Sequence, residues 1–438
     1  MSAPHSLTKT CDIIIEGLLY FLLIFAPLAF GGIQILPLSI IESVTFLIFC
    51  VWLLNLFFSA QPPIRPSFWK PASVFILLIF FQIIPLPGFA VSLISAQRAV
   101  LLDKFLPSGM PTPQFMPLTI YQNATLLKFT ELLSYAVIFL VLINTVQRKS
   151  QFKRIIWVII FTALAVAILE IANNFGFPFV NRNHFAGNME LAVPLVIGYI
   201  LSGLEKPQKI IFAFIAVILT VSLFLSLSRA GTLCFLGSII FMISAFRLRR
   251  SLRGKVTLIY ALIIISFILL LVMGIDPFLE RFGVIFKEDI FGRESRLHIW
   301  RDTLKIIRDF PVLGTGLGTF RNIYPMYKTL AVQARVFYAH SDFLQLISEV
   351  GFIGLGLAAW FLITFFKEVY FAWISRHNPF AKGIVLGGLT GALAILLHSF
   401  FDFSLQIPAN ALFFTVTSAM VYKCIFIKFK EDEPVQVP

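Results

Sequence analysis

A histidine two residues from an aspartate, His340-Ser-Asp342, closes the one long polar stretch of an otherwise apolar chain, and Phe343 to Gly351 runs straight into an apolar span. An unperturbed imidazole titrates close to neutrality and so can accept a proton at physiological pH. The polar stretch before it carries Arg296, Arg301 and further basic side chains. That grouping suits chemistry on a charged lipid at a membrane surface. A second candidate is Arg229, in Ser226-Leu-Ser-Arg-Ala-Gly231, set between two apolar runs with almost no loop. Drawing an arginine toward the bilayer costs about a few kcal/mol, so such a residue faces a polar cavity or a partner. Its planar fork matches phosphate oxygens. We expect a lipid-pyrophosphate clamp there, with a snorkelling helix-end arginine as the plainer alternative.

The neighbours of these residues are less specific. Residues two apart do not share a helical face, so Asp342 orients His340 only if the backbone turns between them; helix capping is an equal reading. Glu349 is expected to support packing or a buried polar network. Arg182 and His184 stand at another helix entry, where capping or interface anchoring competes with substrate contact. His398 and Asp402 are four apart near the end of an apolar run and read as a helix-surface pair. None of these groups reads as a metal site. Gly314-Thr-Gly-Leu-Gly318 reads as a turn, because no strand-to-helix context surrounds it and no Lys-Ser/Thr follows.

The elements that must hold these residues are membrane helices. Hydrophobic residues make up 58% of the 438 positions and charged ones 13%, mean hydropathy is +0.90, and fifty residues are phenylalanine. Apolar runs of bilayer length recur from end to end, which excludes a soluble globular enzyme. Spans are predicted near 12–30, 37–59, 71–95, 124–146, 154–173, 185–204, 209–227, 230–246, 256–274, 348–370, 382–402 and 408–428, about twelve helices in all. The expected organisation is a membrane domain over 1–274, an outer loop over 275–347 and a second membrane portion with a tail over 348–438.

Charge gives the orientation, because cytoplasmic loops collect Lys and Arg. With the N-terminus cytoplasmic, the inner side holds Arg65, Lys70, Arg148, Lys149, Lys153, Arg154, Lys206 and Lys209. Arg247, Arg249, Arg250, Arg253, Lys255, Lys367, Arg376, Lys382, Lys423, Lys428 and Lys430 fall on the same side. The formal charge of +13 is therefore largely topology, and no nucleic-acid partner is implied. The first span reads as an uncleaved anchor. Of the four cysteines, Cys50, Cys234 and Cys424 fall in spans and Cys11 at the inner edge of the first, leaving no outer disulfide or metal cluster.

Two outer segments interrupt the serpentine. Residues 96–123 carry Pro107, Pro111, Pro113 and Pro117, followed by Lys128 and Glu131 at a span's start. The 275–347 loop is too long for a simple turn. Within it, 296–310 reads as an amphipathic helix with Leu297, Trp300, Leu304 and Ile307 on the apolar face and Arg301, Lys305 and Arg308 on one flank.

Four ordered pieces resemble the O-antigen ligase and polymerase family of bacterial envelope glycan transferases. They are Asn181-Arg-Asn-His-Phe-Ala-Gly187; Ser226-Leu-Ser-Arg229; Arg296-Leu-His-Ile-Trp300 with Asp309-Phe-Pro-Val-Leu-Gly-Thr-Gly316; and His340-Ser-Asp-Phe-Leu-Gln345 with Glu349-Val-Gly351. The tail piece His398-Ser-Phe-Phe-Asp402, with Ile407-Pro-Ala409, is also similar to members of this family. The resemblance implies an all-α, GT-C-like polytopic fold and transfer of a glycan from undecaprenyl pyrophosphate to an acceptor hydroxyl, without metal, nucleotide or other cofactor. It implies that Arg229 and Arg296 bind the pyrophosphate and that His340 is the essential histidine. Lipid A core is the favoured acceptor, with polymerisation onto another lipid-linked unit close behind and transfer to protein hydroxyls a third form. The rival class is a twelve-span transporter such as a lipid-linked oligosaccharide flippase, but the major insertion after the ninth span and the lack of an internal repeat fit it poorly.

Overall fold

A computed structural model describes residues 3–59, 62–107, 110–247, 256–273, 296–329 and 335–427. The basic residues Arg249, Arg250, Arg253, Lys255, Lys428 and Lys430, and the loop segments 274–295 and 330–334, lie outside the described residues. The described chain is all-α, with sixteen helices and one two-stranded ribbon. In order these are α1 (Ala3–Leu28), α2 (Ile35–Ser59), α3 (Trp69–Ile83), β1 (Pro85–Pro87), α4 (Gly88–Ile94), α5 (Ala96–Phe105), β2 (Phe115–Pro117), α6 (Gln122–Thr145), α7 (Lys149–Ala172) and α8 (Arg182–Ile200). Next come α9 (Lys206–Leu225), α10 (Arg229–Arg247), α11 (Val256–Met273), α12 (Arg296–Asp309), α13 (Phe320–Tyr327), α14 (Asp342–Ser375), α15 (Pro379–His398) and α16 (Pro408–Phe426).

Eight helices, α1, α2, α6, α7, α9, α14, α15 and α16, are long and apolar enough to cross a membrane. Three more, α3, α10 and α11, are shorter apolar helices. The remaining expected span is α8, which carries Asn183, His184, Asn188 and Glu190 along its length. The outer helices expose large apolar side chains, among them Leu36, Phe46 and Phe57 of α2, as helices facing lipid must. The third span is shorter than the expected 71–95. Ile84, held extended before Pro85, ends α3. Pro85-Leu-Pro87 then pairs antiparallel with Phe115-Met-Pro117, so part of the proline-rich segment closes back onto the end of α3.

At the centre, α8 is buried from His184 through Ile200. Its close partner is α15, where Gly383, Gly387 and Gly391 recur every four residues. A methyl placed on Gly387 would lie 2.6 Å from the Pro194 carbonyl oxygen, and one on Gly198 would lie 2.4 Å from that of Gly383. Backbone therefore meets backbone, the packing that small residues at this spacing permit between membrane helices. This contact brings the start of α8 to the end of α15.

Two of the loop's helices are described. The predicted apolar face of α12 is rotated: Leu304 is 55% exposed, while Asp302, Thr303, Ile306 and Ile307 are buried. Asp302 can turn inward because Lys305 Nζ lies 2.9 Å away and the Thr329 amide and hydroxyl donate to it at 3.0 and 2.9 Å. Ile306 and Phe310 pack on Phe320, Ile323 and Tyr324 of α13. The glycine-rich turn after α12 lies against a kink in α14. There Gly351 has φ 67°, and a methyl on it would sit 2.2 Å from the Val312 carbonyl oxygen. Glu349 accepts from the amides of Gly318 and Phe320 at 2.8 and 3.2 Å, satisfying donors at the open start of α13. The tenth expected span, α14, thus begins at Asp342, earlier than the expected 348, and carries the polar segment after His340 with it.

Candidate functional site

The starts of α8, α10, α14 and α16 and the ends of α9 and α15 meet at one end of the bundle, tied by hydrogen bonds among Asn183, Ser228, Asp342, Ser399 and Asp402. His340 stands immediately before Ser341, whose hydroxyl accepts from the Leu344 amide as the N-cap of α14. Its φ of 51° is in the left-handed region, which a side chain with a Cβ occupies only when its surroundings impose it. Those surroundings are visible. Trp300 Nε1 of α12 donates to the His340 carbonyl at 3.3 Å, and on the other side Ser341 and Asp342 are fastened to the turn between α15 and α16.

The carboxylate facing the imidazole is Asp402. Its Oδ1 lies 3.5 Å from His340 Nδ1, an ion-pair distance longer than a well-formed hydrogen bond. Arg296 Nη2 lies 3.1 Å from Oδ2, and Arg296 Nη1 donates to the Phe401 carbonyl. Asn183 donates to the same Oδ2, and the Phe403 amide donates to Oδ1 at 2.9 Å. Burial pushes the Asp402 carboxyl up, but the contact from His340 and the positive charge of Arg296 outweigh it and hold the group well below the usual carboxylate range. The residue is fully buried, with His340, Arg296 and Asn183 around its carboxylate.

The expected helix-surface pair His398–Asp402 is therefore corrected: both residues are fully buried and each has a partner on another element. They close the turn at the end of α15 instead of decorating a helix face. Asp342 does not orient the His340 ring. Its Oδ2 accepts from Ser399 Oγ at 2.7 Å and from the Leu405 amide at 3.1 Å, so it welds the start of α14 to the turn that carries Asp402.

Arg229 is the first residue of α10. The preceding Ser228 accepts from the Gly231 amide at 3.3 Å and donates to Asn183 Oδ1 at 2.8 Å. Asn183 in turn holds Asp402, so Arg229 stands one residue from the same network. Leu227, at φ 57°, makes the tight turn that allows this. Lys128 and Glu131 form an ion pair at 2.8 Å. His184 is buried, with its ring edge-on to Phe403 at 4.8 Å; His340 meets Phe403 likewise at 5.1 Å, and Tyr338 stacks on it at 4.2 Å. Arg182 and Arg301 are exposed, and Glu349 is occupied in capping α13. The structure thus links His340, Arg296, Asp342 and the segment holding Arg229, and adds Asp402, Asn183 and Ser228. Asn183 and Asp402 lie inside sequence pieces already singled out, but only folding shows that they meet.

Residues 214–359 match the family model described as O-antigen ligase. Over this segment the chain is similar to the O-antigen ligase family. The matched segment runs from within α9 into α14 and includes Arg229, Arg296, Arg301, His340, Asp342 and Glu349, whereas Arg182, His184 and Asp402 lie outside it. No curated protein matches the chain. The family match and the membrane-length helices together point to a bacterial inner-membrane glycan transferase of the ligase or polymerase type. Enzymes of that type act on lipid-linked glycans and glycan acceptors in general.

Proposed function

We propose that this protein moves a glycan from undecaprenyl pyrophosphate to an acceptor hydroxyl at the outer face of the bacterial cytoplasmic membrane, with lipid A core the favoured acceptor. The observation that carries the reading is Asp402, a buried anion shared by His340 and Arg296. In this reading His340 takes the proton from the acceptor hydroxyl as its oxygen bonds to the anomeric carbon. The bond from that carbon to the pyrophosphate oxygen breaks, and the electron pair leaves with the lipid pyrophosphate. Asp402 stabilises the imidazolium that forms, and Arg229 and Arg296 meet the charge growing on the leaving group. A guanidinium has five N–H donors in a planar fork, so Arg296 is able to hold Asp402 and a phosphate oxygen together. Attack from the face opposite the leaving group inverts the anomeric carbon.

The topology supports the placement. Because α1 and α15 end, and α8 and α16 begin, at the site end, Arg148, Lys149, Lys153, Arg154, Lys206, Lys209, Arg376 and Lys382 lie at the other end of their helices. Read with the positive-inside rule, this supports a cytoplasmic basic end, with the start of α1 and the end of α16 on that side, and a site facing the periplasm.

The experiment is transfer in lipid nanodiscs with an undecaprenyl-pyrophosphate oligosaccharide, alone and with lipid A core, read by mass analysis. Product only with lipid A core supports the ligase form, and polymer from donor alone replaces it with the polymerase form. His340→Ala should abolish product while inserting normally; unchanged turnover in that variant removes the histidine from the chemistry.

A further inference from the structure

A second histidine–carboxylate pair is buried behind the site, and the transfer chemistry does not use it. Glu190 of α8 and His398, the last residue of α15, are both fully buried. Nδ1 of His398 lies 3.0 and 3.2 Å from the two carboxylate oxygens. Two turns back along α8, Asn183 donates to Asp402, which stands one turn beyond His398. The two elements are therefore joined by two polar rungs, Glu190–His398 below and Asn183–Asp402 above.

The lower rung bears directly on the upper one. The amides of Phe401 and Asp402 donate to the His398 carbonyl at 2.8 and 2.9 Å. The turn that offers a carbonyl to Arg296 and a carboxylate to His340 is thus suspended from His398. A third element is engaged as well, because a methyl on Gly231 would lie 3.1 Å from Glu190 Oε1, setting the start of α10, and with it Arg229, against the same carboxylate. His398 Nε2 and, next to Gly231, Thr232 Oγ1 are also buried, with no hydrogen-bond partner among the described residues. Ionisable groups inside a membrane bundle are expensive, and a well-packed apolar pair is commonly as stable as a buried ion pair. Bulk stability therefore does not account for this pair. Fixing one geometry where three helix ends must agree does account for it.

We propose that Glu190 and His398 are positioning residues: their contact sets the turn 398–402 so that Asp402 meets His340 and Arg296. This rests on reading His340 and Asp402 as the transfer site. The test uses the full chain in nanodiscs with Glu190→Leu, His398→Leu, the double variant and Glu190→Gln. Misplacing a catalytic group by even about 1 Å can lower turnover by up to about a hundredfold. Each leucine variant should therefore lose about tenfold or more in kcat, with a rise in donor KM as well, because Arg296 and Arg229 lean on the same turn and carboxylate. Residues that act as one unit are non-additive, so the double variant should lose no more than either single one. Glu190→Gln, whose carbonyl still accepts from the imidazole N–H, should recover kcat to within about threefold of the parent. A second readout is independent of activity: amide hydrogen exchange over residues 399–405 should quicken about tenfold in the leucine variants and not in Glu190→Gln. If leucine at 190 prevents folding, His398→Phe applies the same test. Leucine variants with parental kcat and exchange overturn the proposal, as does a loss of kcat that glutamine does not recover. If the parent protein transfers no glycan, the functional reading falls, and the exchange comparison still decides whether the rung holds the turn.

Discussion

Asp402 faces the His340 imidazole across 3.5 Å while also holding Arg296 and Asn183. One buried carboxylate thus fixes the relation between the imidazole at the start of α14 and a cation on α12. Its removal separates chemistry from folding. Asp402→Asn keeps the shape and an accepting oxygen but loses the charge that stabilises an imidazolium. Turnover should fall about a hundredfold or more, with size-exclusion elution in detergent unchanged. Parental turnover in this variant would mean that the imidazole works without Asp402.

The same residue predicts a pH signature. A carboxyl held below its ordinary value in the folded state contributes stability that is complete above the unfolded value, about 3.9. That contribution is lost as pH falls through the lower folded value. The gap in Tm between the parent and Asp402→Asn should therefore shrink as pH falls below about 4. Thermal unfolding followed by tryptophan fluorescence measures it, and a gap that widens as pH falls below about 4 contradicts the assigned direction.

Arg296 contacts a carboxylate with one arm and a backbone carbonyl with the other. Lysine keeps the charge and loses the planar fork. Arg296→Lys is therefore expected to raise the donor KM about tenfold and to lower kcat as well, since the turn carrying Asp402 loses its second hold. Steady-state kinetics with varied lipid donor checks this, and kinetics unchanged in both terms would take Arg296 out of the site.

The approach of α8 to α15 should be the structural weak point. Gly387→Leu places a side chain where even a methyl would lie 2.6 Å from the Pro194 carbonyl oxygen, so the two helices must part. Yield of monodisperse protein should drop sharply. Gly356→Ala is the control, since nothing lies within 4 Å of the methyl it adds. That change should be neutral or stabilise the helix by up to about 1 kcal/mol. Fluorescence-detected size exclusion of both variants decides it.

Much of the helical frame was legible. Span positions follow from apolar length bounded by charge and proline, and they agree with the helices to within a few residues except at α1, which begins at Ala3, at α14, which runs from Asp342 to Ser375, and where Pro85 and Pro87 end α3 early. The inward face of α12 was not legible, because apolar periodicity places Leu304 inside and Asp302 outside. Only the donors on Lys305 and Thr329 make burial of Asp302 tolerable. The glycine spacing in α15 was a readable sign of close helix contact, yet nothing in it names α8 as the partner.

The sequence by itself determined that this is a polytopic helical membrane protein, because the length of apolar runs is a local quantity. It also singled out Arg229, Arg296 and His340 as candidates, through the chemistry of single side chains and through the resemblance to the O-antigen ligase and polymerase family. Tertiary structure decided which carboxylate serves the histidine. Asp342 is two residues away in sequence but its side chain is spent on Ser399 and Leu405, whereas Asp402 arrives from the turn after α15. Spacing along one helix made His398 and Asp402 look like a pair. Once α8 packs against α15, Glu190 takes His398, and Asp402 is left to face His340 and Arg296. A partner on another helix is chosen by packing, which one element's periodicity does not encode.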